Sequence, residues 1–232
     1  EASLLEGGQT LIPTLKQRLA APSEVIALRE ISELRRVEKS GSNIVVGAMA
    51  THAQVASNAE VQRSIPALAQ LAGGIGDPQV RHAGTIAGSI ANNDPAADYP
   101  AAVLGLGATV VTNKRKIDAD SFFTGLFSTA LEPGEIITEV SFPIPSKSGY
   151  AKFEQRASRY ALVGVFVAQF SGMFSTSVRA AVTGAGADGV FRSSELEQAL
   201  KSNWSADAVR DLKLPDSGLL SDLHASAEYR AA

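Results

Sequence analysis

The sequence contains no cysteine, only one tryptophan and three histidines. Without cysteine the chain cannot form disulfides, and it has no thiolate for catalysis or for an iron–sulfur or zinc site. Any such centre is expected in a partner chain. The histidines, His52, His82 and His224, lie far apart and match no HExxH-like spacing, so we expect surface or loop positions, no metal site and no catalytic dyad.

Long apolar runs are also missing. No segment approaches the roughly twenty apolar residues that span a bilayer, and no charged-then-apolar leader opens the chain. We therefore expect no transmembrane segment and a cytoplasmic location. The sequence opens without methionine and ends in a helix-like segment, so we also expect that part of the C-terminal region is truncated.

Neither positive nor negative side chains are in large excess. The 232 residues carry 21 basic and 24 acidic side chains, for a formal charge of -3, and 45% of them are hydrophobic. This balance gives no electrostatic attraction to nucleic acid, so we expect no nucleic-acid partner. The length allows one large domain or two modest ones.

A stretch rich in small residues, VRHAGTIAGSIANNDPAADYPAA (residues 80–102), is present instead. Gly84 and Gly88 lie beside the hydroxyls of Thr85 and Ser89, and such backbone can approach a phosphate closely and bind it through amide groups. We interpret it as a cofactor loop. A tight turn followed by an Asx-type helix cap would use the same residues.

A second glycine turn occurs near the N-terminus, at residues 6–10 (EGGQT). It follows a predicted strand at residues 2–5 and precedes the helical pattern LIPTLKQRL, with Thr10 as the predicted cap. Free amide groups at a helix N-terminus favour an anion such as a pyrophosphate. A plain strand-to-helix turn is the alternative.

The remaining pattern predicts an α+β fold. Residues 1–146 are predicted to be one domain, with an N-terminal α/β subdomain (about 1–50) and a central α+β subdomain (about 51–146). Residues 147–232 are predicted to be a C-terminal domain of antiparallel sheet plus helices. The elements expected are strands at 25–28, 108–112, 135–143, 150–156, 163–170 and 178–183, a hairpin over 33–49, and helices at 51–56, 65–73, 99–106, 194–201 and 206–212.

Residues 184–189 match GxGxxG after a strand, as in nicotinamide-binding folds. A dinucleotide fold also needs a helix that opens from the glycines and a further parallel strand that ends in an acidic residue. The next helix is predicted only from Ser193 or Ser194, so we interpret this match as a turn.

Taken together, the segments EGGQTLIPTLKQRLAAP, IGDPQVRHAGTIAGSIANNDPAADYPA and DLHASAEYRA resemble the FAD-binding medium subunit of the molybdenum hydroxylases. The segments are similar to the flavoprotein of aerobic carbon monoxide dehydrogenase-type enzymes and, more distantly, to the xanthine dehydrogenase FAD domain. It covers essentially the whole chain. The resemblance implies three subunits: a molybdopterin-binding large subunit, an iron–sulfur small subunit and this FAD-binding chain, which we expect to assemble as a dimer of heterotrimers.

By that resemblance, two loops bind the FAD diphosphate, one from each side. The first loop comprises Glu6, Gly7, Gly8, Gln9 and Thr10, with Leu11 and Ile12 alongside. The second loop comprises Thr85, Ile86, Ala87, Gly88 and Ser89. The resemblance further implies that Asp98 accepts a hydrogen bond from the cofactor, that Ile75 and Ile137 pack against it, and that Lys152 lies near the flavin ring.

One position departs from the family. The family has two glycines where this sequence has Ala87 and Gly88, and an extra methyl group at a close approach could push the pyrophosphate outward. Tyr160 is a further candidate, predicted to cover the isoalloxazine ring, with a core or surface tyrosine as the alternative.

The function expected is electron transfer from the partner's iron–sulfur clusters through FAD to an external acceptor, in a carbon monoxide dehydrogenase- or xanthine dehydrogenase-like oxidoreductase. A cofactor-free scaffold subunit is the alternative, favoured by Ala87. A nicotinamide-dependent dehydrogenase that uses residues 184–189 is a third hypothesis. Carbon monoxide, an aldehyde or an N-heterocycle remain open as substrates, and quinone, oxygen or NAD as acceptors.

Overall fold

The structure, a computed structural model, describes residues 2–173 and 175–232. The strands in these residues are β1 (Ala2–Leu5), β2 (Glu24–Ala27), β3 (Val37–Ser40), β4 (Asn43–Gly47), β5 (Thr109–Thr112), β6 (Lys116–Asp118), β7 (Phe123–Gly125), β8 (Ser128–Thr129), β9 (Ile137–Pro143), β10 (Lys147–Glu154), β11 (Ala161–Ser171), β12 (Thr176–Thr183) and β13 (Phe191–Arg192). The helices are α1 (Leu11–Lys16), α2 (His52–Ser57), α3 (Ala59–Ser64), α4 (Pro66–Gly73), α5 (Pro78–Ala83), α6 (Ile86–Asn92), α7 (Tyr99–Leu106), α8 (Ala119–Phe122), α9 (Ser194–Ser202) and α10 (Ala227–Ala231).

The N-terminal unit is β1, α1 and β2. The two strands pair in parallel, with Ala2 opposite Glu24, and α1 lies in the connection between them. A parallel pair needs such a crossover, since a tight turn can join only antiparallel strands. Every residue of β2 is exposed and α1 has no buried residue, so this unit is thinly packed.

A five-stranded sheet in the order β3-β4-β9-β5-β6 forms the centre of the molecule, and all its pairs are antiparallel. The hairpin predicted over residues 33–49 is present as β3 and β4. Its first strand begins only at Val37, because Ser32–Arg35 form a 3-10 helix.

A second antiparallel sheet follows in the order β10-β11-β12-β13. Helix α7 contacts β9 of the first sheet and β11 and β12 of the second, and all its residues are buried. A Cβ added at Gly105 would lie 3.0 Å from the Phe166 ring, so a small residue allows the close contact between helix and sheet. The predicted α+β class and C-terminal antiparallel sheet are confirmed.

Local capping explains where several helices begin. Thr51 accepts a hydrogen bond from the Gln54 amide, and the Gln54 side chain accepts one from the Thr51 amide, which makes a capping box for α2. Asp77 and Ser193 accept from the amides three residues on and begin α5 and α9.

The helix predicted at residues 206–212 is wrong. Only Ala206–Ala208 are helical, as a short 3-10 turn without a buried residue. A short helix in water needs a buried apolar face to offset the cost of its nucleation, and this segment has none. The short helices α3 and α5 were not predicted.

Within residues 2–173 and 175–232, no helix combines the length and apolar character needed to cross a bilayer. The division into domains at residue 146 remains a prediction.

Candidate functional site

A cavity of about 610 Å³ lies between the N-terminal unit, α5, α6, the start of α7 and the turn that precedes β11. We call it the site cavity. The predicted site residues that line it are Glu6, Gly7, Gly8, Gln9, Thr10, Leu11, Ile75, Thr85, Gly88, Ser89, Asp98 and Ile137.

The two predicted loops meet directly at this cavity. The Thr85 hydroxyl donates a hydrogen bond of 2.9 Å to Oε2 of Glu6. Gly7 packs so closely that an added Cβ would overlap the Ala83 carbonyl and lie 2.7 Å from the Cα of Gly84. Residues that are distant in sequence therefore form one continuous wall.

The first loop (residues 6–10) presents backbone rather than side chains. Gly8 has a φ of 71°, which glycine adopts without strain, and a Cβ there would lie 2.6 Å from the Ile12 side chain. Within the described residues, the backbone amides of Gly8, Gln9 and Thr10 donate to no protein acceptor. These amides are available to an anion.

Thr10 does not cap α1 with its side chain, although the helix begins at the next residue. Its backbone is already helical, with φ -111° and ψ -51°, whereas a capping side chain needs extended backbone. The prediction that Thr10 is the helix cap is therefore wrong in its side-chain part.

The second loop (residues 85–89) consists of Thr85 and the first turn of α6, which begins at Ile86. Thr85 is extended and caps this helix by accepting a hydrogen bond of 3.2 Å from the Gly88 amide. A Cβ at Gly88 would lie 3.0 Å from the Thr85 hydroxyl and 3.4 Å from the Glu6 carboxyl. Gly88 thus leaves room at the point where the loops meet.

Ile86 and Ala87 are completely buried and do not line the cavity. Their amides donate to the carbonyls of Ala50 and Ala48, so their backbone is also engaged with the core. The Ala87 methyl packs into the hydrophobic core and lies outside the cavity lining, so the structure gives no support to the concern that it would push a pyrophosphate outward. Ile12 also lies outside the cavity lining.

A buried polar cluster supports the opposite wall, where Asp98 is its one member that lines the cavity. Lys152 Nζ lies 3.0 Å from Asp98 Oδ1, and the Tyr150 hydroxyl donates to the same oxygen at 2.5 Å. Burial raises the pKa of Asp98, and the charge of Lys152 opposes that shift. Lys152 also donates to the carbonyls of Gly74 and Arg159, so its three N–H groups are used and it stands behind Asp98, outside the cavity lining.

His52 is a residue that the sequence analysis missed. It lines the cavity and is buried, which corrects the expectation of a surface or loop histidine. Burial, with a smaller effect of the Arg81 charge, lowers its pKa to about 4, so the ring is neutral near pH 7. His52 Nδ1 and the adjacent Tyr99 hydroxyl have no hydrogen-bond partner within the described residues.

The turn before β11 closes the cavity with Ser158, Arg159 and Tyr160. Tyr160 lines this cavity and is 49% exposed, so it is not a core residue. Arg159 adopts a φ of 62° and donates from its guanidinium to the Gly76 carbonyl. Arg159 was not predicted as a site residue, and its sequence signal is only its position next to Tyr160.

Residues 184–189 do not form a dinucleotide loop. The Gly184 amide donates to the Pro95 carbonyl, its carbonyl accepts from Arg230, and β13 precedes the next helix. The geometry that a nicotinamide fold needs, a helix opening from the glycines, is absent from this described segment.

Glu6 has an unusual carboxyl group for a loop residue. Burial raises its pKa to about 7, although hydrogen bonds from Thr85 and the Gly88 amide act in the opposite direction. Its protonation state therefore changes near neutral pH, at the contact between the two loops.

Comparison with known proteins identifies the family. Residues 1–145 match the family described as the FAD binding domain in molybdopterin dehydrogenase. The nicotine 6-hydroxylase medium subunit of Paenarthrobacter nicotinovorans is 36% identical, over 99% of this chain and 84% of that protein. The carbon monoxide dehydrogenase medium chain of Hydrogenophaga pseudoflava is 32% identical, over 100% of this chain and 85% of that protein.

A solved structure of carbon monoxide dehydrogenase from Hydrogenophaga pseudoflava superimposes with a TM-score of 0.86 at 32% identity, over 99% of this chain and 84% of that chain. These findings confirm the resemblance to molybdenum hydroxylase medium subunits and, at the level of the family, the FAD cofactor. The chain belongs to the family of FAD-binding domains of the molybdopterin dehydrogenases.

Proposed function

We propose that this chain binds FAD in the site cavity, with the diphosphate between the first and second loops. The observation that carries the proposal is the direct contact between those loops, from Thr85 to Glu6 at 2.9 Å, on the wall of one cavity. Two separate turns that offer amides and hydroxyls to the same space match the two-sided recognition that a diphosphate requires.

The residues present fit such a group. The cavity volume is within the range of roughly 300–1,000 Å³ found for small-molecule sites. The unpaired amides of Gly8, Gln9 and Thr10 provide donors, and Gly88 has no side chain that would fill the space. No lysine or arginine is needed in the loops, because amide dipoles supply the positive potential.

The other lining residues have distinct roles in this proposal. Ile75 and Ile137 provide apolar surface for the cofactor, Asp98 accepts a hydrogen bond from it, and Tyr160 covers the ring system from the open side. Lys152 acts indirectly, since it holds the Asp98 carboxylate in position. When bound, FAD supplies the redox group, and the chain supplies binding and orientation.

The larger role proposed is electron transfer in a molybdenum hydroxylase. Electrons would pass from a small iron–sulfur subunit through FAD to an external acceptor, while a large molybdopterin-binding subunit selects the substrate. The names of the relatives from Paenarthrobacter nicotinovorans and Hydrogenophaga pseudoflava as medium subunit and medium chain support such partners. A dimer of heterotrimers and a cytoplasmic location remain predictions.

Reconstitution with FAD tests the binding proposal. The purified chain should acquire the visible absorption bands of a flavin after dialysis against FAD. Gly88→Ala should weaken FAD binding about tenfold, which corresponds to about 1.4 kcal/mol, because the new methyl meets the Thr85 hydroxyl at 3.0 Å. A chain that stays colourless and shows no FAD-dependent change in melting temperature would favour the cofactor-free scaffold.

Gly73→Ala is the matched control. Gly73 also lies in a helix, and a Cβ there meets only the Ala56 methyl at 3.8 Å. Because alanine favours helices over glycine, Gly73→Ala should keep or raise its melting temperature. At Gly88 the close contact with Thr85 offsets that gain, so FAD affinity is compared for the folded variants. Equal FAD affinity of the two variants would contradict the proposed diphosphate position.

Co-purification tests the partners. The tagged chain, expressed from its native genomic context, should retain two further subunits, one with iron and labile sulfide and one with molybdenum. Recovery of the chain alone, with neither metal, would overturn the proposed complex.

A further inference from the structure

The Glu6 carboxyl occupies hydrogen-bond donors that the proposed diphosphate site would use. Thr85 Oγ1 donates to Oε2 of Glu6, and the Gly88 amide, which donates to Thr85 Oγ1, lies next to the same carboxyl group. All three residues line the site cavity. An internal anion and a cofactor anion therefore compete for one set of donors.

The immediate surroundings of Glu6 supply no compensating cation. In its own loop the neighbours Gly7, Gly8, Gln9 and Thr10 are uncharged, and α6 contributes no charged side chain to the contact. Within residues 2–173 and 175–232, Glu6 has no ion-pair partner within 4.0 Å.

The charged groups on the surrounding elements are engaged elsewhere. From α2, His52 is neutral, and from α5, Arg81 donates to the carbonyls of Ile75 and Gly76. Across the cavity Asp98 pairs with Lys152. Of the further titratable groups that line the cavity, Glu135 pairs with Arg115 at 3.0 Å and Arg159 donates to the Gly76 carbonyl. There are four such groups: Asp94, Glu135, Arg159 and Tyr160.

We propose that Glu6 binds a proton when the diphosphate of FAD binds, so that this residue makes FAD affinity depend on pH. The inference rests on the proposed function. An ionised Glu6 would repel the diphosphate and retain the Thr85 hydroxyl, whereas a protonated Glu6 adds an O–H donor toward a phosphate oxygen. No other atom is exchanged, since solvent supplies the proton.

The raised pKa of Glu6 places this effect near neutrality. With a pKa of about 7 in the FAD-free chain, the carboxyl is mostly protonated at about pH 6 and mostly ionised at about pH 8.5. If only the protonated form binds FAD tightly, the dissociation constant rises about 30-fold between these two pH values. Affinity thus weakens as pH rises.

Titration of the FAD-free full chain with FAD, followed by flavin fluorescence, tests the inference. The wild type should show the roughly 30-fold change between about pH 6 and about pH 8.5. Glu6→Gln, whose neutral amide resembles the protonated acid, should bind at both pH values with the wild-type affinity of low pH. Glu24→Gln, an exposed change on β2, should retain the wild-type dependence.

Calorimetry in two buffers of different ionisation enthalpy gives an independent readout. Wild type should take up about one proton per FAD at about pH 8.5, and Glu6→Gln should take up close to none. Equal wild-type affinity for FAD at both pH values would overturn the role of Glu6 but not the proposed FAD site. Loss of FAD binding in Glu6→Gln, with wild type still binding, would have the same meaning. Absence of FAD binding by every variant at every pH would overturn both the role of Glu6 and the proposed function.

Discussion

The two walls of the site cavity are held in place in different ways. The first loop belongs to the unit of β1, α1 and β2, in which α1 has no buried residue and every residue of β2 is exposed. The opposite wall begins at α7, whose residues are all buried between two sheets, and carries the paired groups Asp98 and Lys152. One wall can open locally at little cost, and the other opens only when the core is disrupted.

This difference indicates which wall of the cavity a bound cofactor stabilises most. A ligand that contacts both walls should rigidify the less stable wall more than the stable one. The loop with unpaired amides lies on that weaker wall, as expected for a segment whose donors are reserved for a ligand.

The largest effect is expected from breaking the buried wall. Lys152→Met leaves Asp98 buried without its cation, and we expect the free energy of unfolding to fall by about 3 kcal/mol at neutral pH. The loss should shrink at low pH, because a protonated Asp98 needs no cation. Urea denaturation at several pH values measures this, and the double change Asp98→Asn/Lys152→Met should recover most of the loss.

Arg210→Ala is the control for that experiment. Arg210 and Asp207 form an ion pair whose side chains are 70% and 74% exposed, so its loss should change stability by no more than about 0.5 kcal/mol. Equal effects of the two changes would show that the buried pair of Asp98 and Lys152 contributes no more to stability than an exposed pair.

An effect of similar size is expected from the pH dependence of the weaker wall. The pKa of Glu6 is raised from 4.5 to about 7, so its contribution to stability is present below about pH 4.5 and is lost as pH rises through about 7. His52 acts in the opposite direction, because its pKa is lowered from 6.5 to about 4 and its contribution is lost as pH falls through that range. The two slopes oppose each other in the wild type.

In Glu6→Gln, the change of unfolding free energy with pH that His52 causes should no longer be offset by Glu6. Relative to wild type, the variant should gain up to about 3 kcal/mol of unfolding free energy between about pH 4.5 and about pH 7, from 1.36 kcal/mol for each pKa unit. Urea unfolding of both proteins across this range measures the difference. Parallel stability curves would show that the Glu6 carboxyl is not perturbed by burial.

The smallest effect, and the most local, is expected from FAD itself. At a free concentration about 100 times its dissociation constant, FAD should add about 2.7 kcal/mol, seen as slower amide exchange in β1, α1 and β2. Amides of α7 should exchange too slowly in both states to report a change. Hydrogen exchange with mass spectrometry measures this, and unchanged exchange of the N-terminal peptides at saturating FAD would contradict it.

Capping and apolar periodicity were sufficient to predict several elements from the sequence. The Thr51 capping box and the run of small apolar residues after Asp98 gave α2 and α7 close to their observed bounds. The same pattern failed at residues 206–212, where no core surface exists for the helix to pack against. Local sequence does not carry that information.

The site could be predicted only in part. The glycine loops are visible in the sequence, but their convergence rested on the resemblance to a family, since contacts between distant residues follow from the complete fold. The burial of His52 beside Tyr99 and the hydrogen bond between Thr85 and Glu6 have no local signal. Whether Ala87 faces the cavity depends on the direction of its side chain, which the motif alone does not show. A helix presents neighbouring residues to different sides.

The cluster of Tyr150, Lys152 and Asp98 has a consequence for modularity. The family match ends at residue 145, yet the cation and the phenol that satisfy Asp98 come from β10, beyond that limit. A fragment that ends at the family boundary would keep both glycine loops, but Asp98 would lack the lysine and the tyrosine that bind its carboxyl group. Transfer of the site cavity into another protein would therefore require β10, the first strand of the second sheet, to be included.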